Sequence, residues 1–143
     1  MGNYGTYENS LELIGNIMKA SEHAALNEFG KLLMSQVRDD TCDFLTKLLA
    51  GKMADKTSHA LFVEIQECSE NDLNLIKRLL VAAVDASIVQ FLYFIEQNQF
   101  RLFVKDHNGV ESDIVKISDG LAGELYSDEG WIAKFSRFKD RLD

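Results

Sequence analysis

The sequence predicts a mainly α fold of the α+β kind. It reads as a bundle of four to five helices around a central apolar helix, with one antiparallel β-hairpin near the C-terminus. Three observations predict it. Apolar residues recur at helical spacing from Leu11 to Ile95. The 143-residue chain contains no proline, so no residue lacks an amide donor or clashes with the preceding helical turn. Beyond Phe100 the period shortens around Asn108-Gly109, a dipeptide suited to tight hairpin turns.

Each element follows in order. Asn9 or Ser10 can cap a first helix with Leu11, Ile14, Ile17 and Met18 on one face. Ser21 offers a second cap, so a break is expected there. A second helix then runs to about Ala50 on the stripe Leu26, Phe29, Leu33, Val37, Phe44, Leu48, with Gly51 as its stop. Thr57 or Ser58 opens a shorter helix carrying Leu61, Phe62 and Ile65. The Ser69-to-Asp72 run resembles a capping box and opens the most apolar helix, Leu73 to about Gln97. Apolar residues cover more than one of its faces, so it is expected to be wrapped by the others. Phe100–Val104 and Val110 to about Ile117 form the hairpin, with a type I′ turn at Asn108-Gly109 and His107 beside it. After a glycine-rich loop, Ser127 caps a last helix with Trp131, Ile132, Phe135, Phe138 and Leu142 on its face. Asp128 and Glu129 at its start, and Arg137, Lys139 and Arg141 at its end, complement the helix dipole. No linker, repeat or low-complexity segment interrupts this order, so one domain over 1–143 is expected.

Composition narrows the function classes. The net charge is −8, from 15 basic and 23 acidic residues. A nucleic-acid binder neutralises phosphates with a basic face, and none is visible, so no nucleic-acid partner is expected. An acidic surface favours solubility and basic partners. Cys42 and Cys68 are too few and too scattered for a disulfide framework, which implies a reducing compartment. The opening MGNYGTYENS has neither a basic region nor an apolar run, so it does not read as a signal peptide. Met1-Gly2 with Thr6 matches only the short, loose myristoylation pattern. The run Leu79–Ile95 is interrupted by Asp85 and Gln90 and is short for a bilayer span. A cytoplasmic protein without membrane attachment is expected, of undetermined oligomeric state.

No catalytic constellation is written locally. His23, His59 and His107 lack a second ligand at helical spacing, so no metal and no cofactor is expected. Gly120-Leu-Ala-Gly123 lies between acids rather than bases, and no phosphate-binding loop is present. Asp39 and Asp43 share a helix face and, with Asp40, read as a solvated acidic surface near Arg38 and Lys47. Asp85 stands inside the most apolar helix, where a carboxylate must find a partner or stay neutral. Its expected partner is a helix cap or an arginine, and its minority role is as a polar residue in a pocket.

The C-terminal block Ile117–Phe138 holds three glycines, several acids and the only tryptophan. Asp119, Glu124, Tyr126, Asp128, Glu129 and Trp131 form a candidate surface for a basic partner, an aromatic anchor in an acidic surround. Trp131 reads more simply as the core anchor of the last helix. One of Gly120, Gly123 and Gly130 is expected to carry a positive φ.

The blocks Phe29–Thr41, Gly51-Lys-Met53 and Ile117–Ser136 (ISDGLAGELYSDEGWIAKFS) resemble a family of small bacterial cytosolic proteins. The resemblance implies a bacterial cytosolic origin and carries over no catalytic residue. Where such proteins place a histidine in the apolar helix, this chain has Ile88-Val-Gln-Phe91. Two functional expectations result. The first is a non-enzymatic interaction protein, of the acidic immunity or antitoxin kind, that binds a basic protein. The second is a small-molecule or enzymatic pocket between the apolar helix and the hairpin, with Asp85, His59 and Tyr93 as its polar groups.

Overall fold

A computed structural model describes residues 4–106 and 108–142, with the side chains of residues 4–8 left out of the description. The readings placed on Met1-Gly2, Thr6 and His107 therefore lie outside the described residues. The architecture is the mainly α one expected, with an antiparallel hairpin near the C-terminus.

Helix α1 spans Tyr4–Leu32 without a break at Ser21. A serine at that position costs a helix interior little when no proline follows. The irregularity comes later: Leu33–Asp39 is a π-helical segment that leads directly into α2, Asp40–Leu49. Its wider turn stacks residues five apart. Leu33 and Arg38, and likewise Met34 and Asp39, thus share the buried side. The expected stripe slips there, and Val37 and Phe44 end up exposed. Gly51, in the left-handed conformation, stops α2.

Helix α3, Lys56–Ile65, begins one residue earlier than expected because Asp55 is its cap, accepting from the Ser58 amide at 2.9 Å. Helix α4, Glu70–Gln97, has the expected Ser69 cap, which accepts from the Asp72 amide at 3.2 Å. It is the spine of the core, but it is not wrapped. Val81, Asp85, Ile88, Leu92 and Ile95 are buried, while Leu75, Leu79, Tyr93 and Phe94 on the other side are exposed. With 28 residues and a mean hydropathy of 1.7 over its most apolar window, α4 is also long and apolar enough to cross a membrane by length and composition. The shorter run Leu79–Ile95 did not convey that.

Strands β1 (Phe103–Lys105) and β2 (Glu111–Asp113) pair antiparallel, with Val104 opposite Ser112. The turn is not the two-residue type expected. The Asp106 amide donates to the Val110 carbonyl at 3.0 Å and the Gly109 amide to the Asp106 carbonyl at 2.9 Å, leaving three residues in the loop. The Asp106 carboxylate accepts from the Asn108 and Val110 amides, which fixes this register, and Gly109 takes the left-handed position at φ +81°. The second strand is short because the chain turns into α5, Ile114–Ile117.

A 3₁₀ segment, Leu121–Leu125, follows and is tied to α4 by the Leu121 amide, which donates to Glu96 Oε1 at 2.6 Å. Gly120 enters it at φ +151°, the positive φ expected in this loop. Gly120→Ala is expected to cost ~1 kcal/mol or more. Gly123→Ala, with open space around its Cβ, should change the thermal melt little. Equal melts for the two variants would contradict this account of the loop.

The last helix, α6, covers only Trp131–Phe135, and its cap is Gly130 rather than Ser127. Phe138 and Leu142 lie beyond it, and Arg137, Lys139 and Arg141 complete no helix end. The chain leaves the helix at Ser136 because its side chain and the carbonyls that follow are held elsewhere, as described below. Leu142 still reaches the interior, packing with Cys42 and Val81 in a small cluster. The main core gathers Leu26, Leu33 and Met34 against Ile88, Leu92 and Ile95, with Ile114, Leu121, Leu125 and Trp131 closing it.

Candidate functional site

Arg38 is the organising residue, and it has no solvent exposure. The π-helical turn aims it across the bundle at α4. Its Nε donates to Asp85 Oδ1 at 2.6 Å and its Nη2 to Asp85 Oδ2 at 3.1 Å, a forked pairing of two planar groups. The remaining donors hold the segment after α6. Nη1 donates to Ser136 Oγ at 2.5 Å and to the Phe138 carbonyl at 2.7 Å, and Nη2 donates to the Lys139 carbonyl at 2.8 Å. Burial works against the charge on Arg38. The hydrogen bond to Asp85 and its negative charge outweigh that cost, so the guanidinium pKa lies above its ordinary value.

Asp39, the next residue, clips the same segment from the other side. It accepts from Ser136 Oγ at 2.5 Å and from the Arg137 amide at 3.0 Å. Arg137 then reaches Asp43 at 2.7 Å. The expected solvated face of Asp39 and Asp43 is therefore half wrong: Asp39 is buried and structural, and Asp43 pairs at the surface. Two side chains of the π segment thus fix the backbone from Ser136 to Lys139, and that fixes the wall of a groove.

The groove has a volume of about 500 Å³ and runs between the 3₁₀ segment, α6 and the clipped segment. Tyr126, Ser127 and Asp128 form one side, Lys139 and Asp140 the other, and Asp85 reaches it from the floor. A second depression, of about 330 Å³, adjoins it through Asp85 and Asp140 and continues along Leu75, Arg78 and Leu79 of α4. Tyr126 is 61% exposed at the rim. Partial desolvation, and then the negative charge of Asp85, push its phenol pKa above the ordinary value, so it stays a neutral hydrogen-bond donor.

The structure distributes the sequence candidates unevenly. Asp119, Asp128 and Glu129 are exposed, with Glu129 paired to Lys134 at 3.4 Å. Glu124 is partly buried and accepts from Ser118 Oγ at 2.9 Å, so it serves the loop. Trp131 is not a surface residue. It is 2% exposed, its ring stands edge-on to Phe29 at 5.6 Å, and it presses on Gly30, where an added Cβ would come within 2.4 Å of the indole. Its helix turns inward because the core is on that side, and this removes it from any contact surface.

Asp85, His59 and Tyr93 do not line one cavity. His59 is exposed on α3, Tyr93 is on the outer side of α4, and the Asp85 carboxylate is held by Arg38. Among the described residues no group of three or more His, Cys, Asp or Glu side chains could hold a metal ion. Sequence reading missed Arg38, Ser136, Lys139 and Asp140 as site-forming residues. The one available signal was Asp85, a carboxylate in an apolar helix that required a cation. No family model, curated protein or solved structure matches the chain.

Proposed function

We propose that this is a non-enzymatic binding protein whose C-terminal groove takes a basic segment of a partner protein, in the manner of an acidic immunity or antitoxin protein. The observation that carries the reading is the groove itself. An exposed tyrosine stands over it, Asp128 and Asp140 flank it against the single Lys139, and a buried arginine clip holds its walls rigid. A preformed wall spares the ordering cost that a mobile loop would incur on binding. Excess carboxylate, together with a net charge of −8, speeds encounter with a cationic partner and discourages nucleic acid. Exposed Asp119 adds to the negative surface, and Glu129 is offset by Lys134. A bacterial cytosolic setting belongs to the same proposal and draws on the resemblance of the C-terminal block.

Tagged protein recovered from its native cell at moderate salt is expected to retain a basic protein. Asp128→Lys combined with Asp140→Lys should lose it while keeping the parent's thermal melt. Recovery of no partner, or of the same partner by parent and variant alike, would count against the proposal.

A further inference from the structure

We infer that a second copy of this chain seats on the outer face of α4. Leu75, Leu79, Ala82, Ala86, Tyr93 and Phe94 lie at helical spacing on the side opposite the buried Val81, Asp85, Ile88 and Leu92, and all six are exposed. None of these six residues is charged, and the charged Asp72 and Arg78 border the face at its Leu75–Leu79 end. Its Leu75–Ala82 end borders the depression that adjoins the acidic groove, whereas Ala86, Tyr93 and Phe94 line neither.

The amount of uncovered surface identifies the occupant. A folded monomer of 16.2 kDa exposes roughly 7,500 Å². This chain exposes 10062 Å², roughly a third more. The surplus is of the size that a permanent homodimer buries on each subunit, on the order of 1,000–2,500 Å². The first half of α1 adds to it, with Leu11, Ile14, Ile17 and Met18 each more than half exposed. The α4 face is also self-complementary. In an antiparallel crossing, a two-fold axis near Ala86 sets Leu79 of one copy beside Tyr93 and Phe94 of the other, and the alanines let the backbones approach. An anionic bilayer is the poorer occupant, because the chain carries a charge of −8.

Light scattering on the purified chain is expected to give about 32 kDa, twice the 16.2 kDa chain mass. Leu79→Lys and Ala86→Glu should give the single-chain mass, and Val63→Lys, at an exposed apolar site on α3, should stay dimeric. If the α4 variants fail to fold, Ala86→Cys in a Cys68→Ser background keeps the test open. A short bis-maleimide should then link two chains through position 86, whereas Val63→Cys in the same background should not link. A parent that is monomeric at high micromolar concentration, dimers unaffected by the α4 substitutions, equal linking at positions 63 and 86, or a monomer that binds neutral phosphatidylcholine vesicles through this face would each overturn the inference.

Discussion

Arg38→Ala is expected to unfold the protein or lower its stability by ~3–5 kcal/mol, the usual consequence of removing one member of a buried ion pair. The loss goes beyond the pair. Asp85 would be left inside the bundle without its cation, and the carbonyls of Phe138 and Lys139 and the Ser136 hydroxyl would lose their donor. A domain of this size has ~5–15 kcal/mol in total, so one substitution removes a large share. The joint change Arg38→Met and Asp85→Leu should recover much of the loss in chemical denaturation, because no charge is then stranded. It should not restore the groove, since nothing would hold Lys139 and Asp140 in place. An Arg38→Ala protein that melts with the parent would show the clip to be idle.

Trp131→Ala is the second large effect, expected at ~3–5 kcal/mol. The indole fills the space over Gly30, meets Phe29 edge-on and belongs to the main core cluster. Parent fluorescence should be blue-shifted and poorly quenched by iodide. Red-shifted, freely quenched emission with an unaltered melt for the variant would place the tryptophan on the surface and return it to the binding reading.

The two predictions mark what was legible in the sequence. Local signals held wherever the chain obeys a regular period: the Ser69 cap, the Gly51 stop, the 28-residue α4, the hairpin and the positive φ at Gly120. They failed where tertiary contacts override local preference. A period of 3.6 puts Val37 in the core. Widening to a π turn exposes it and buries Arg38 and Asp39 instead, and no local pattern announces that insertion. The same side chains end α6 at Phe135, although the apolar spacing continues to Leu142. The groove depends on contacts about a hundred residues apart in sequence, between Arg38 and the segment Ser136–Lys139. Of that arrangement, the sequence disclosed only that Asp85 needed a counter-charge. The one-sided cover of α4 was equally hidden, because an apolar helix reads the same whether its own chain or a second copy covers it.

The most direct test of the binding account is Tyr126→Ala. The ring is 61% exposed, so the variant should melt close to the parent. An aromatic anchor that a partner covers on binding contributes ~2 kcal/mol or more, which is about a thirtyfold loss in affinity. Titration calorimetry against the basic protein recovered from the native cell should show that loss, with binding by the parent weakening as salt is raised. Unchanged affinity for the variant, or parent binding indifferent to salt, would contradict the groove as the binding site.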